Sequence, residues 1–314
     1  MQFTLIPADG SSLSEQVIYA FETNVPTSFD VKIIDGESQT VVGVKRFTET
    51  TAGRINIAPY LRRLVEYAPA VGVTGFLPTS HRTVCAIVEI GTLRTPARIF
   101  TASVQTLNSP ALLTSLPDNR YIAQGESEEL TLWTQHPCNI TVVAQRSGVT
   151  EGQSYTAPQS GFTLFRLNTN DFAGAETITL SIGNFRQIVY TLIHQPHTAH
   201  RLAWRSRAGS IEHYTFPVEK EAVVTVDKQK TETADGYLDT NITQETTLTL
   251  LSAYESATMI DALAEVIYSP EVWLLKDTEY VPIDLPKQQA ILRHHGTLRY
   301  LEVTLRPKTK TVVR

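Results

Sequence analysis

Cysteine is almost absent from the 314-residue chain, which contains only Cys85 and Cys138. Two thiols far apart in the sequence cannot form a disulfide framework or a cysteine-rich zinc site, because such sites need several cysteines at short spacings. We therefore expect both side chains to be buried and reduced.

Asn139 and Asn241 begin N-x-Thr sequons, which are glycosylation sites only in a secreted chain. No other feature of the sequence indicates secretion.

Long apolar runs and a surplus of basic charge are also missing. No stretch approaches the ~18 apolar residues of a membrane span, and the first residues do not form a basic segment followed by a long apolar one. The net charge is -5, with basic and acidic residues interspersed, so no positive surface for nucleic acid is expected. The sequence predicts a protein made in the cytosol and kept there or released by lysis, without nucleic-acid partners or a membrane span.

Recognisable catalytic motifs are missing as well. The chain has no Gly-rich dinucleotide turn, no phosphate-binding loop, no Gly-x-Ser-x-Gly elbow and no His-Glu-x-x-His helix. We therefore predict a non-enzymatic protein, with no catalytic, cofactor-binding or metal-binding residues and no cofactor.

The composition that remains is typical of a folded chain with several cores. Hydrophobic residues make up 42% of the chain and charged residues 19%, in short interrupted stretches. One core usually stops growing at roughly 250 to 300 residues. We predict a mainly β, multidomain β-sandwich architecture, with one short helix packed on the sheet in the first and third domains. The predicted domains are 1–110, β-sandwich-like with one helix; 111–196, a small all-β sandwich; and 197–314, β with one helix.

The first segment shows strand patterns around one turn and one helix. Asp35-Gly36 is a strong hairpin-turn signal between two strand-like runs. Pro59 suits the first turn of a helix, and the apolar residues after it recur at helical spacing. These residues are Leu61, Leu64, Val65 and Ala68. Strands are predicted at 17–22, 29–34, 40–45, 84–90 and 97–104.

The middle segment shows short strands with turn residues between them, which is typical of a small sandwich. Gly183-Asn184 suits a hairpin turn between its last two strands. The strands are predicted at 127–134, 139–145, 161–167, 177–182 and 187–193. In the third segment they are predicted within 202–216, about a Gly-containing turn, and at 222–228, 245–251, 271–276, 280–283, 289–294 and 297–306.

A helix over residues 252–268 is predicted in the third segment. Ser252 and Glu255 match the capping box, in which the two side chains satisfy backbone N–H groups at the start of a helix. Ser269-Pro270 ends the pattern. The apolar face, which should pack on the sheet, consists of Met259, Ile260, Leu263, Val266 and Ile267.

Three histidines close together in the sequence, His194, His197 and His200, are candidate metal ligands, because imidazole binds zinc, copper and nickel. Pro196 breaks any helix that would align them, so we interpret the segment as a polar linker. His294 and its neighbour His295 would face opposite ways in a strand, which disfavours joint ligation.

Carboxylates and tryptophans give two further hypotheses. A hydrolase would need two carboxylates across a cleft, but Asp235-Gly236 is typical of a turn, and Asp261 and Glu265 lie on the solvated side of the predicted helix. The carboxylate hypothesis includes a fourth residue, Asp239. The 3 tryptophans, with the 12 tyrosines, could form a sugar-stacking platform, although aromatic residues on strands more often form core. The tryptophans are Trp133, Trp204 and Trp273.

The third segment resembles the C-terminal region of tail-associated structural proteins from phages and prophages of the Bacteroidetes. The likeness covers about a third of the chain and departs at Ala208-Gly209, where those proteins tend to have two glycines. The residues that carry it are Leu202-Ala203-Trp204-Arg205-Ser206, Ala208-Gly209, Tyr214-Thr215-Phe216, Ser269-Pro270-Glu271-Val272-Trp273 and Val281-Pro282-Ile283.

This resemblance implies a virion component that acts through contacts with identical subunits and with other tail proteins. Such a protein would reside in the virion, or in the host cytoplasm before assembly, and exposed edge strands would be its interfaces. The alternatives are a carbohydrate-binding or adhesive surface module of a gut bacterium, with a glycan partner, and then a carboxylate-dependent hydrolase.

Overall fold

The computed structural model describes residues 1–78, 82–104, 106–194, 199–286, 291–308 and 311–313. Within these ranges the chain is mainly β, with several sheets and two short α-helices, as the sequence predicts. In the same ranges, every helix is too short or too polar to cross a membrane. The boundaries at residues 110 and 196 stay predictions.

The first sheet is built on a long hairpin, and the turn signal at Asp35-Gly36 is confirmed. The predicted strands 17–22 and 29–34 form one strand that pairs antiparallel with the strand after the turn, with register shifts along it. The strands before residue 110 are β1 (Gln2–Leu5), β2 (Ser11–Ser12), β3 (Ile18–Asp35), β4 (Val41–Asn56), β5 (Gly75–Leu77), β6 (Thr83–Ile90), β7 (Leu93–Arg94) and β8 (Arg98–Thr101). All except β5 belong to this sheet, in the order β1-β3-β6-β8-β2, with β4 on β3 and β7 on β6.

The helix predicted after Pro59 exists but is shorter than the apolar spacing indicates. Helix α1 (Ala58–Leu61) continues as a 3-10 turn over Arg62–Leu64. Val65 is extended, with φ -82° and ψ 121°. The prediction that the helix reaches Ala68 is therefore wrong, because Val65 and Tyr67 leave the helix to pack in the core of the first sheet.

The middle segment forms two facing sheets around an apolar core. Its strands are β9 (Ala111–Leu112), β10 (Asn119–Ala123), β11 (Ser127–Thr134), β12 (Asn139–Arg146), β13 (Val149–Thr156), β14 (Gly161–Asn168), β15 (Thr177–Ile182) and β16 (Arg186–Ile193). One sheet has the order β10-β16-β15-β12-β13 and the other β5-β14-β11-β9, so that β5 joins this segment. The hairpin turn at Gly183-Asn184 is confirmed, but the prediction that it has two residues is wrong, since Ile182 pairs with Arg186 and Phe185 also lies in the loop.

The third segment adds strands to one large sheet. They are β17 (His200–Arg205), β18 (Ile211–Phe216), β19 (Val218–Thr233), β20 (Gly236–Leu251), β21 (Val272–Lys276), β22 (Glu279–Asp284), β23 (Ile291–His295), β24 (Leu298–Pro307) and β25 (Thr311–Val313). The order is β18-β17-β21-β22-β24-β20-β19, with β23 on β24 and β25 on β20.

Helix α2 (Ala257–Leu263), extended by a 3-10 turn to Ile267, packs against β24 with its predicted apolar face. The predicted start at Ser252 is wrong. Ser256 is the N-cap, and its hydroxyl accepts from the backbone N–H of Met259 at 3.2 Å. The hydroxyl of Ser252 instead accepts from Leu301 N, and Glu255 accepts from the Tyr214 hydroxyl at 3.1 Å, so both side chains serve tertiary contacts.

Candidate interaction surface

Buried charges meet where the middle and third segments touch. Arg201 on β17 places Nη1 2.8 Å from Glu126 Oε2 and Nη2 3.0 Å from Glu128 Oε2. Arg120 on β10 approaches the other oxygen of Glu128, with Nη1 2.7 Å from Oε1. All four side chains are 3–5% exposed. We call these four residues the charge junction.

Neutral acceptors bind further donors of the charge junction, although the buried Nε of Arg201 has no hydrogen-bond partner among the described residues. Arg201 also donates to the Thr215 hydroxyl at 2.9 Å, and Arg120 donates to the carbonyl of Pro117 and the hydroxyl of Thr114, both at 2.8 Å. Buried charges are tolerated when their partners are present, whereas losing one partner is strongly destabilising. The charge junction therefore fixes how the two segments sit on each other.

Two titratable side chains beside the charge junction are also buried. Glu212 accepts from the Thr114 hydroxyl at 3.0 Å and from the Ser210 hydroxyl at 2.9 Å, and burial raises its pKa. His213 Nδ1 lies 3.0 Å from the Tyr280 hydroxyl. Burial, followed by nearby arginines with Arg201 first, lowers the pKa of His213 well below its usual value, so its imidazole is neutral at pH 7.

The predicted histidine cluster is only partly described. His194 is exposed, and His197 lies outside the described residues. His200 begins β17, and its Nε2 lies 2.7 Å from Glu219 Oε2. Among the described residues, His, Cys, Asp and Glu side chains do not form a group that could hold a metal ion. His294 and His295 lie in β23, and their side chains are outside the described part of the structure.

Cys85 and Cys138 are free and half-buried rather than fully buried. Partial burial raises the pKa of both thiols. A raised pKa reduces the thiolate fraction at neutral pH, so burial makes both thiols less nucleophilic.

The four candidate carboxylates do not converge. Asp235 lies in the loop that joins β19 to β20, about 40 Å along β20 from its pairs with β24, at ~3.3 Å per residue. Asp239 lies about 30 Å from those pairs by the same measure and is 3.4 Å from Lys228 Nζ. Asp261 on helix α2 is 3.9 Å from Arg299, and Glu265 accepts from the Ser115 hydroxyl at 2.9 Å. Helix α2 packs on β24, so the two pairs of carboxylates are too far apart to share one substrate bond.

The tryptophans form core, as the more common interpretation of strand aromatics predicts. Trp204 is 0% exposed, Trp133 6% and Trp273 8%. The tryptophans therefore cannot contribute to a sugar-stacking platform, because a platform must present its rings to solvent, whereas Tyr121, Tyr237, Tyr254 and Tyr268 are exposed.

Strands β19 and β20 form a two-stranded ribbon, which we call the ribbon, and it contains the longest run of exposed residues in the described part of the chain. The two strands pair from Val218 with Leu251 to Thr233 with Gly236. Residues 221–241 are all exposed. Strand β20 also pairs with β24 near its end and with β25 at Ile242–Gln244, whereas β19 pairs only with β20 within the described residues. The ribbon therefore extends from the body with one free strand edge.

One face of the ribbon, which we call the apolar face, carries more aliphatic side chains than the other, although Lys228, Gln244 and Thr246 also lie on it. Val224 pairs with Thr246 and Val226 with Gln244, and because alternate residues share a face, both valines point to the same side. Val224 is 55% exposed and Val226 48%. Ala222, Ile242 and Leu248 lie on the same face by the same register. The opposite face consists mainly of polar residues, namely Thr225, Asp227, Gln229, Thr243, Glu245 and Thr247, together with Val223.

The sequence predicts only the part of each ribbon strand nearest the body, 222–228 and 245–251. The mixed polar composition of 229–244 hides its strand character, because both faces are wet and period-two alternation is lost. The turn signal Asp235-Gly236 is confirmed, and Gly236 adopts φ +117°, a conformation that side-chain-bearing residues rarely adopt. That turn, set between threonine-rich stretches of high β-propensity, is the signal that predicts a continuous hairpin.

Comparisons with known proteins add little to this picture. No protein-family model and no curated protein matches the chain. A crystal structure of Dpr2 Ig1-Ig2 in complex with DIP-Theta Ig1-Ig3 is similar at 11% identity and a TM-score of 0.23, covering 100% of this chain and 98% of that chain. A crystal structure of the I9-I11 tandem from titin has 11% identity, a TM-score of 0.19 and coverage of 99% and 96%. TM-scores this low do not indicate a function.

Proposed function

We propose that the chain is a non-enzymatic building block of a phage or prophage tail, which acts through contacts between protein subunits. The exposed ribbon carries the proposal. A two-stranded hairpin is at best marginally stable in water, and a row of exposed apolar side chains marks an interaction site. The ribbon has both properties and is long, so it is suited to reach a neighbouring subunit.

The contact we propose is sheet augmentation combined with burial of the apolar face. The free edge of β19 offers backbone N–H and C=O groups to a strand of a second subunit. Burying Val224 and Val226 together would contribute about 3 kcal/mol, at roughly 1.5 kcal/mol for each valine. The charge junction holds the body in one arrangement, which gives the ribbon a fixed direction.

The class of assembly follows from the resemblance of the third segment to phage tail-associated proteins. That likeness includes Trp204, Tyr214 and Trp273. These residues lie in β17, β18 and β21, and β17 pairs with both of the other strands. In this proposal the protein is made in the host cytoplasm and ends in the virion, where its partners are identical subunits and other tail proteins.

Light scattering coupled to size-exclusion chromatography tests the proposal. We expect purified wild-type protein to form oligomers as its concentration rises, and electron microscopy should show regular assemblies. Replacing both apolar-face valines, Val224→Lys with Val226→Lys, should weaken self-association by about a hundredfold, which corresponds to ~3 kcal/mol.

The matched control places lysines on the polar face, as Thr225→Lys with Asp227→Lys, and should assemble like the wild type. The proposal is wrong if the wild-type chain stays monomeric at high concentration and is absent from purified phage particles. Equal loss of assembly in both double variants would show that the apolar face has no special role.

A further inference from the structure

A second group of buried arginines lies apart from the charge junction, at the edge of the four-stranded sheet. Arg166 on β14 pairs with Glu129 on β11 and with Gly75 on β5. Arg166 is 8% exposed and Arg82 is 5% exposed. Both guanidinium groups line one cavity of about 240 Å³, which we call the Arg166 cavity. Its other lining residues are Glu66, Ala68, Leu77, Pro78, Glu129 and Leu164.

The charges in this cavity are paired unequally. Arg82 Nη2 is 3.0 Å from Glu129 Oε1 and donates to the Ala68 carbonyl at 3.3 Å. Among the described residues, neither the buried Nη1 of Arg82 nor Oε1 of Glu129 has a hydrogen-bond partner. Arg166 forms no ion pair with any described residue, and its buried Nε is also without a partner. Glu66 lines the cavity from an exposed position in water. The buried part of the cavity therefore holds two guanidinium groups and one carboxylate.

A buried N–H of a guanidinium without an acceptor is costly, and arginine does not lose its proton at physiological pH. Burial lowers the pKa of Arg166, although Glu129 opposes this effect. Arg166 Nη1 packs against Gly72, where an added Cβ would clash with it, and the open space beside the arginine is the cavity itself. Space and an unpaired positive charge thus coincide in one place.

We propose that the Arg166 cavity binds a small oxyanion of the phosphate or carboxylate class, held by Arg166 and by Nη1 of Arg82. The planar guanidinium fork matches two oxygens of such an anion. The cavity has room for a small anion with a few waters, since one water occupies about 30 Å³. Leu77 and Leu164 supply apolar walls that strengthen the electrostatic contact. This site does not depend on the proposed role of the ribbon.

Titration calorimetry and thermal unfolding with inorganic phosphate and with acetate test the site, at ionic strength matched with sodium chloride. We expect at least one of the two anions to bind wild-type protein and to raise its Tm. Binding of phosphate alone would assign a tetrahedral anion, and binding of acetate would assign a carboxylate. In Arg166→Met we expect binding at least about tenfold weaker, from the loss of the bidentate contact.

The Tm of Arg166→Met without added anion gives a second test, because most substitutions of buried residues lower the Tm. Because Arg166→Met removes an unpaired buried charge, its Tm without added anion should equal or exceed that of the wild type. Arg186→Met, which removes a half-exposed arginine paired with Asp118, should bind the anion like the wild type. Arg166→Gln serves as a second variant if Arg166→Met does not fold.

Two results would overturn the proposal. One is the absence of any response of the wild type to both anions beyond that to sodium chloride. The other is equal anion binding by the wild type and the Arg166 variants, which would place the anion elsewhere on the surface.

Discussion

At the residue scale, Glu128 shows how charge is accommodated inside the protein. Its two oxygens accept from Arg120 at 2.7 Å and from Arg201 at 3.0 Å, and the two arginines belong to strands of different sheets. Since water is excluded from all three side chains, each charge depends on the others for stabilisation. Removing one leaves an uncompensated charge in a medium of low dielectric constant.

Replacing Arg201 with methionine should therefore lower the free energy of unfolding by about 3 to 5 kcal/mol. Urea unfolding followed by circular dichroism measures this change. Lys32→Met is the control, because Lys32 is 47% exposed beside Glu89 and an exposed pair contributes only ~0 to 1 kcal/mol. A loss below 1 kcal/mol on Arg201→Met would show that the charge junction does not hold the segments together.

His213 predicts a dependence of stability on pH. Its pKa in the folded protein lies well below the ordinary 6.5, so its contribution to stability is full above about pH 6.5 and is lost as pH falls through the folded pKa. We expect its contribution to fall by up to about 1.4 kcal/mol for each pH unit below 6.5. Glu212 has the opposite effect on the pH dependence of stability. Its pKa is raised in the folded protein, so this side chain stabilises the fold at low pH, and that contribution is lost as pH rises.

Comparison with His213→Gln separates the two groups, because glutamine is neutral and can still bond to the Tyr280 hydroxyl. Urea unfolding at pH 7.5 and at pH 5.5 should show a smaller difference in free energy for the variant than for the wild type, by roughly 1 kcal/mol. His136→Gln, at an exposed position, is the control. An unchanged pH difference in His213→Gln would contradict the assignment of a neutral buried imidazole.

At the element scale, the outer part of the ribbon should contribute little to folding. Residues 229–241 are exposed on both faces, so they bury almost no apolar surface against the body. Deleting them and joining Lys228 to Ile242 through Asn-Gly keeps the pairing with β25. We expect the free energy of unfolding to change by no more than about 0.5 kcal/mol. A much larger loss in urea unfolding would mean that the ribbon serves the fold.

Sequence alone predicts those elements whose side chains alternate between core and solvent. Residues 177–182 are predicted as a strand and form β15 with the same bounds, with Ile178, Leu180 and Ile182 buried. Strand β13 (Val149–Thr156) is missed, because it is an edge strand exposed along almost its whole length and has no buried face to reveal it.

The first residue of helix α2 and the buried charges are two features that the sequence alone cannot predict. Ser252 and Ser256 are both acceptable N-caps by local rules, and the choice between them depends on Tyr214 and Leu301, which are distant in sequence. Glu128 and Glu129 are buried against rules that place carboxylates in water. Neither their partners nor the Arg166 cavity can be inferred without the fold, since Arg82, Arg120 and Arg201 come from three separate strands or loops.

At the scale of the whole molecule, the segments pack into one body. The core cluster of the first sheet includes Ala203, Ile211 and Trp273 from the third segment. Gly209 approaches the backbone of Ser103 so closely that an added Cβ would lie 2.9 Å from its nitrogen. Since apolar core, close backbone contact and buried ion pairs all cross between segments, the body is expected to move as a unit. The ribbon is the part left for contact with other subunits.

Hydrogen–deuterium exchange of assembled protein tests most directly whether the ribbon forms the subunit contact. We predict that backbone amides of residues 221–228 exchange more slowly in assembled wild-type protein than in Val224→Lys with Val226→Lys at the same concentration. Amides in the core strand β15 should exchange alike in both. If the ribbon amides of assembled wild-type protein exchange as fast as those of the variant, the ribbon is not the interface and the central claim is wrong.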